Sequence, residues 1–125
     1  MSQTRNEKIR KLDQLVSEYV RKRDCENPGT CISCGRPINF STCECGHYID
    51  RKHMATRFDE NNCNAECPAC NRFDATHLTG YKRNLTLKIG LKSFCEIEAK
   101  KYTDVHFSER EIEEMITYYK QLLKN

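Results

Sequence analysis

The sequence predicts a small α+β domain, with a metal-stapled β-hairpin and short helix over residues about 30–80, one helix before it and two or three after it. Three observations predict this. Residues 4–24 and 81–125 carry apolar side chains at helical spacing behind capping signals. Residues 30–80 have few helix signals before Cys67 but hold most of the cysteines. Two of those cysteine pairs share the same C-x₂-C spacing. A length of 125 residues fits a single domain.

In the first helix, Thr4-Arg5-Asn6-Glu7 is a capping-box pattern, in which hydroxyl and carboxylate satisfy free amides. Ile9, Leu12, Val16, Tyr19 and Val20 form one apolar stripe, ending near Asp24. Arg21-Lys22-Arg23 lies at the negative end of the helix dipole, as dipole compensation on a solvated surface or, alternatively, as a phosphate contact. Asn27-Pro28-Gly29 breaks the chain. Pro68 suits a first helical position, so a short helix is expected there, and Gly80 is expected to close the segment. Residues 81–89 read as a basic helix with Gly90 as its C-cap, and 92–101 resume a helix around Phe94 and Ile97. Ser108-Glu109-Arg110-Glu111 is a second capping box, with Phe107 and Ile112 as its staple. Ile112, Met115, Ile116, Tyr119 and Leu123 make the final stripe. The two flanking stripes should bury themselves against the hairpin unit or in a dimer.

Composition narrows the function. The longest run of strictly apolar residues is two, as in Leu15-Val16, whereas a membrane helix needs ~20. Residues 1–20 carry mixed charges where an export signal would be apolar, so a cytoplasmic protein without membrane partners is expected. Nine cysteines, an odd number, then favour metal binding over disulfides. The formal net charge is +3, with basic flanks around an acidic middle. That gives modest support for a nucleic-acid partner.

Cys31-Ile-Ser-Cys34 and Cys67-Pro-Ala-Cys70 are two knuckles, each of which aims two thiolates at one tetrahedral ion. Gly35 follows the first, where positive φ is often needed. These four are the expected Zn²⁺ ligands; a rival quartet would recruit Cys43, Cys45 or Cys63. Four thiolates leave no open position, so this zinc is structural. The 32 residues between the knuckles exceed the ~15–20 of a simple ribbon. Function should therefore be sought in that insert.

The insert carries Gly46-His47-Tyr48, Arg57-Phe58 and Asn62, and the second knuckle runs on into Asn71. His47, Asn62 and Asn71 follow the H…N…H/N order of the ββα-metal (HNH) nucleases. With Arg21-Lys22-Arg23-Asp24, Cys31-Ile32-Ser33-Cys34-Gly35 and Ile89-Gly90, the chain resembles the phage NinG (Rap) recombination proteins over residues 10–124. It resembles phage recombination endonuclease VII more distantly. The resemblance implies a treble-clef HNH core and metal-dependent DNA hydrolysis, with Zn²⁺ structural and Mg²⁺ or Mn²⁺ catalytic. It implies branched substrates such as Holliday junctions or D-loops, 5′-phosphate and 3′-hydroxyl ends, and a phage or prophage host cell.

Elementary chemistry asks the same of such a site. A neutral imidazole can take a proton from water. A hard cation on oxygen ligands can neutralise the phosphoryl group, and arginines can clamp a phosphate. By resemblance His47 is the general base, Asn71 a ligand of the catalytic ion and Asn62 the residue that pins the loop. Many relatives carry Asp or His where this chain has Gly46; Glu44, on the same strand face, would serve instead. The usual third ligand position is Ala75, so Asp74, His77 or water would complete the set. Arg51, Lys52, Arg57, Arg72, Lys82 and Arg83 are the expected DNA contacts, and Arg51 also belongs to the catalytic group. Two coordinated nicks on a symmetric junction would suit a homodimer built on the C-terminal stripe. The rivals are a non-catalytic zinc module that binds nucleic acid, an HNH nicking or restriction-type enzyme on linear duplex, and a zinc-dependent protein-interaction domain.

Overall fold

The computed structural model describes residues 3–26, 28–73 and 76–125. Asn27, Asp74 and Ala75 lie outside them. Among the described residues, six helices and four short strands follow in the order α1 (Arg5–Asp24), β1 (Gly29–Thr30), β2 (Pro37–Ile38), β3 (Glu44–His47), α2 (Met54–Arg57), β4 (Cys63–Glu66), α3 (Pro68–Arg72), α4 (His77–Ile89), α5 (Leu91–Lys100) and α6 (Glu109–Lys124). The strands pair as two antiparallel two-stranded sheets, β1 with β2 and β3 with β4. The class is α+β, with three helices after the hairpin region.

Helix ends follow their capping chemistry. Glu7 N donates to the Thr4 hydroxyl, and that hydroxyl in turn reaches the Glu7 carboxylate at 3.2 Å. The Ser108 box closes in both directions, with Glu111 N on Ser108 Oγ and Ser108 N on the Glu111 carboxylate. Pro68 opens α3. Gly90, at φ +88°, ends α4, and its carbonyl starts α5 by accepting from Phe94 N. Gly80 does not close a segment: it lies inside α4, which begins at His77. The reason is contact, because a Cβ at Gly80 would collide with the carbonyl of Ser33 in the first knuckle. A helix glycine is tolerated here because the knuckle needs the room.

The main core lies between the two terminal helices. Leu12, Leu15, Val16 and Val20 of α1 meet Ile112 and Tyr119 of α6 together with Phe58 and Cys63. Burial of such side chains contributes ~1.5–3 kcal/mol each. Arg5 donates to the Phe107 carbonyl at 2.7 Å and Lys8 pairs with Glu113 at 2.6 Å, which fixes the register of the two helices. The α6 stripe is therefore spent on α1 within one chain.

The hairpin is bolted on from both sides. Arg23 is no solvated dipole partner: it donates to the Glu60 and Cys63 carbonyls at 2.9 and 2.8 Å. Ala65 N donates to Asp24, and Lys88 of α4 reaches Asp24 and Asn64. Burial works against the Asp24 carboxylate, but Arg23, Lys88 and the Ala65 amide hold it below its ordinary range. From α4, the fully buried Tyr81 hydroxyl lies 2.7 Å from the Gly46 carbonyl and accepts from Asn64 Nδ2 at 3.2 Å. No helix among the described residues is long and apolar enough to cross a membrane.

Candidate metal centre and cleft

Cys31, Cys34, Cys67 and Cys70 bring their sulfurs within 4.8 Å of one another. Cys34 and Cys67 stand 3.8 Å apart. Tetrahedral zinc with Zn–S near 2.3 Å separates its sulfurs by roughly 3.8 Å, so the spacing fits that ion. Gly35 takes φ +79° behind the first knuckle, with its amide on the Cys31 carbonyl. Burial and the neighbouring thiols push Cys70 up. At Cys34 burial opposes ionisation, but the Arg36 amide and the surrounding thiols outweigh it and hold that thiol below its ordinary value. Four thiols this close cannot all ionise without a cation between them. The rival quartet does not assemble: Cys43 lies 2.9 Å from Cys25, and Cys45 and Cys63 sit elsewhere, beside His47.

The β3–β4 hairpin hangs between the two knuckles. Its register pairs Glu44 with Glu66, Cys45 with Ala65, Gly46 with Asn64 and His47 with Cys63. Side chains alternate, so Cys45 and His47 face α1 while Glu44 and Gly46 face α3 and α4. His47 and Glu44 thus leave opposite faces of the strand, ~10 Å apart along it. They do not face one another across a single cleft.

On the α1 side, His47 lines a cleft of about 350 Å³ with Arg10, Asp13, Arg21, Cys45 and Arg51. One ring nitrogen, Nε2, lies 2.9 Å from the Arg57 carbonyl. A carbonyl only accepts, so Nε2 donates, and in the neutral ring Nδ1 keeps its lone pair. Burial lowers the His47 pKa; the Arg57 carbonyl and Asp13 pull it back, and the Arg51 and Arg57 charges lower it further. The net result is a ring that stays neutral below its ordinary titration range.

The loop that presents this carbonyl is pinned by Asn62, which is fully buried. Its Oδ1 accepts from Ile49 N at 2.9 Å, and its Nδ2 donates to the Ile49 and Thr56 carbonyls at 3.0 and 3.1 Å. Asp13 of α1 fixes the other side of the loop. Arg57 donates to it through Nε at 3.0 Å and through its terminal nitrogen at 2.6 Å, and Arg51 reaches it at 3.1 Å. Arg57 is thereby committed to Asp13, whereas Arg51 keeps most of its side chain exposed.

On the other face, Asn71 Nδ2 donates to Glu44 Oε1 at 2.9 Å, and the exposed Arg72 engages both oxygens of the same carboxylate. Burial would raise the Glu44 carboxyl, but Asn71 and Arg72 outweigh it and hold it low. His77 does not join this pair. Its Nδ1 lies 2.7 Å from Oε2 of Glu66, which also accepts from Ser33 Oγ at 2.5 Å. Glu66 is fully buried, and its Oε1 has no partner among the described residues. Lys52, Lys82 and Arg83 are exposed, with Lys82 over the Phe94 ring.

Glu66 also accounts for Gly46. A Cβ at position 46 would collide with Glu66 Oε1 and lie 2.7 Å from its Cδ. Gly46→Ala should lower stability by ~1–3 kcal/mol through overpacking, a fall of several degrees in thermal midpoint by circular dichroism. An unchanged midpoint would mean that Glu66 has room to withdraw.

Sequence reasoning missed Asp13, Glu66, Arg10 and Tyr81. Asp13 directly follows Leu12 of the apolar stripe, and a carboxylate beside the stripe was its one available signal.

A family profile described as Bacteriophage Lambda NinG protein matches residues 2–125. The Protein ninG sequences of Escherichia phage 933W and Salmonella phage P22 are each 34% identical over 92 residues, covering 73% of this chain and 44% of the relative. That of Escherichia phage lambda is 33% identical over the same length and coverage. The chain thus matches less than half the length of these relatives. No solved structure matches. With a profile match across nearly every residue, the knuckles and hairpin included, the chain belongs to the NinG family.

Proposed function

We propose that this chain is a metal-dependent endonuclease of the HNH (ββα-metal) kind, hydrolysing phosphodiesters in branched recombination intermediates in the cytoplasm of a phage or prophage host. The observation that carries it is His47, ring held by the Arg57 carbonyl, in a cleft it shares with Arg10, Arg21 and Arg51. A phosphodiester in that cleft would meet three guanidinium groups able to donate to its oxygens. The Nδ1 lone pair would then take the proton of an attacking water. Asn62 and Asp13 act as positioning residues, because they hold the loop that holds the ring.

Zinc on Cys31, Cys34, Cys67 and Cys70 would fix the hairpin to α3 and supply no chemistry, since its four positions are filled. Glu44 and Asn71 would hold Mg²⁺ or Mn²⁺ on the strand face opposite His47, where the bound ion would neutralise a neighbouring backbone phosphate and seat the DNA rather than the phosphodiester in the His47 cleft. Two protein oxygens suffice for an ion that keeps its waters. Arg72 must leave Glu44 for this, and as an exposed side chain it is free to turn to a DNA phosphate instead. His77 drops out of the ligand set because Glu66 engages it. Lys52, Lys82 and Arg83 would add salt-sensitive backbone contacts. The preference for branched DNA rests on the family resemblance, and two nicks on a symmetric junction would take two copies of the chain.

The test is cleavage of a four-way junction and of matched linear duplex, each with Mg²⁺, Mn²⁺ or EDTA. Junction nicking with either metal and none in EDTA is expected. Binding without cleavage under every metal would leave a non-catalytic zinc module. Equal rates on linear duplex would leave a nicking enzyme without branch selectivity.

A further inference from the structure

We infer that Cys45, His47 and Cys63 form a second centre for a thiophilic divalent ion such as zinc, separate from the Cys₄ site. Their three ligand atoms lie within 4.8 Å of one another. The hairpin register builds this grouping. Cys45 and His47 are alternate residues on one face of β3, and Cys63 is the partner of His47 directly across on β4. Zinc–sulfur and zinc–nitrogen bonds of ~2.3 and ~2.0 Å place such atoms about 3.5–3.8 Å apart. Side-chain movements of roughly 1 Å therefore close the set around an ion.

Two features beyond proximity favour a ligand. The Arg57 carbonyl takes one ring N–H of His47 and lies 3.6 Å from Cys63 Sγ. A metal-bound imidazole usually donates its other N–H to such a carbonyl, which fixes its orientation. The ring and one thiol are therefore oriented in advance by the same atom. Second, Cys45 and His47 both line the cleft beside α1, so a fourth ligand can come from solvent. Two thiolates, one neutral imidazole and an open position are a set known for zinc with exchangeable ligands. Soft sulfur donors select against Mg²⁺ and Mn²⁺.

Occupancy would also take the His47 lone pair. Under the nuclease reading, zinc in this centre silences the base, and the cleft is switched off when zinc exceeds what the Cys₄ site takes up. That consequence rests on the nuclease reading; the binding itself does not.

The experiment is metal stoichiometry on the full chain, reduced and loaded with excess Zn²⁺ or Co²⁺ and then desalted. The expected result is two ions per chain for the unaltered protein and one for Cys45→Ala. In the Co²⁺ form, the thiolate charge-transfer absorption should fall but persist in that variant, since the tetrad is intact. His47→Ala, which removes a cleft-lining ring, should also hold one ion and serves as a check should Cys45→Ala fold poorly. A single ion in the unaltered protein overturns the proposal, as do two ions retained in both variants. Failure of DNA cleavage leaves these counts untouched, so the two readings fail separately.

Discussion

Cys70→Ser, or stripping the metal with a chelator, should unfold the middle of the chain and lower the main thermal transition by more than about 10 °C. Apart from the bonds that Arg23, Asp24, Lys88 and Tyr81 make to the β3–β4 hairpin, the region from β1 to α3 has little of its own to hold it. Its strands are two and four residues long, and isolated two-stranded sheets are marginal at best. Its own buried cluster consists of Cys25, Cys31, Ile38, Cys43, Ala65, Cys67 and Cys70, small side chains for the most part. Structural zinc contributes ~10–16 kcal/mol in peptide systems, as much as the ~5–15 kcal/mol net stability of a whole domain. Cys70 is the telling position because it is buried, whereas Cys34 is exposed and solvent can partly replace its thiolate. Helical signal should survive in part, because α1 and α6 share a core of their own. A melt that does not move with chelator would mean that the tetrad carries no metal.

What could be read from the sequence was what is local. Thr4, Pro68, Gly90 and Ser108 mark helix ends because capping is decided within a few residues. The knuckles mark themselves because two C-x₂-C spacings have one economical explanation. Leu15 lies outside the predicted α1 stripe, yet it is buried because α6 and the hairpin together cover a broader face than either would alone. Gly80 read as a terminator because its reason for being glycine, the Ser33 carbonyl, is 47 residues away in the chain. Candidate site residues divide in the same way. Glu44 and Asn71 do come together, at 2.9 Å. His77 goes to Glu66, and Arg57 to Asp13, because each finds a carboxylate from a distant segment. Cys45 and Cys63 enter the sequence reading as candidates for a rival quartet, since only the β3–β4 register shows that they flank His47.

His47→Ala should reduce junction nicking by ~10²–10⁴-fold, the usual contribution of a positioned proton acceptor, while junction affinity stays within a factor of a few. The expectation for affinity follows from geometry. Arg10, Arg21 and Arg51 line the cleft independently of the ring, and the exposed cations elsewhere are untouched. Asn62→Ala separates a base from the scaffold that holds it. That change leaves the Ile49 amide and the Ile49 and Thr56 carbonyls without their partner in a buried place, at ~1–3 kcal/mol for each group stranded. It should therefore lower the thermal midpoint and the cleavage rate together, whereas His47→Ala should lower the rate with little change in the melt. The contrast is the informative quantity, because the Asn62 side chain touches only backbone and the His47 ring reaches the cleft. Equal rates for His47→Ala and the unaltered chain would remove the imidazole from the chemistry. The arginine-lined cleft would then be a place where DNA is held, with hydrolysis, if any, falling to the Glu44–Asn71 side of the strand.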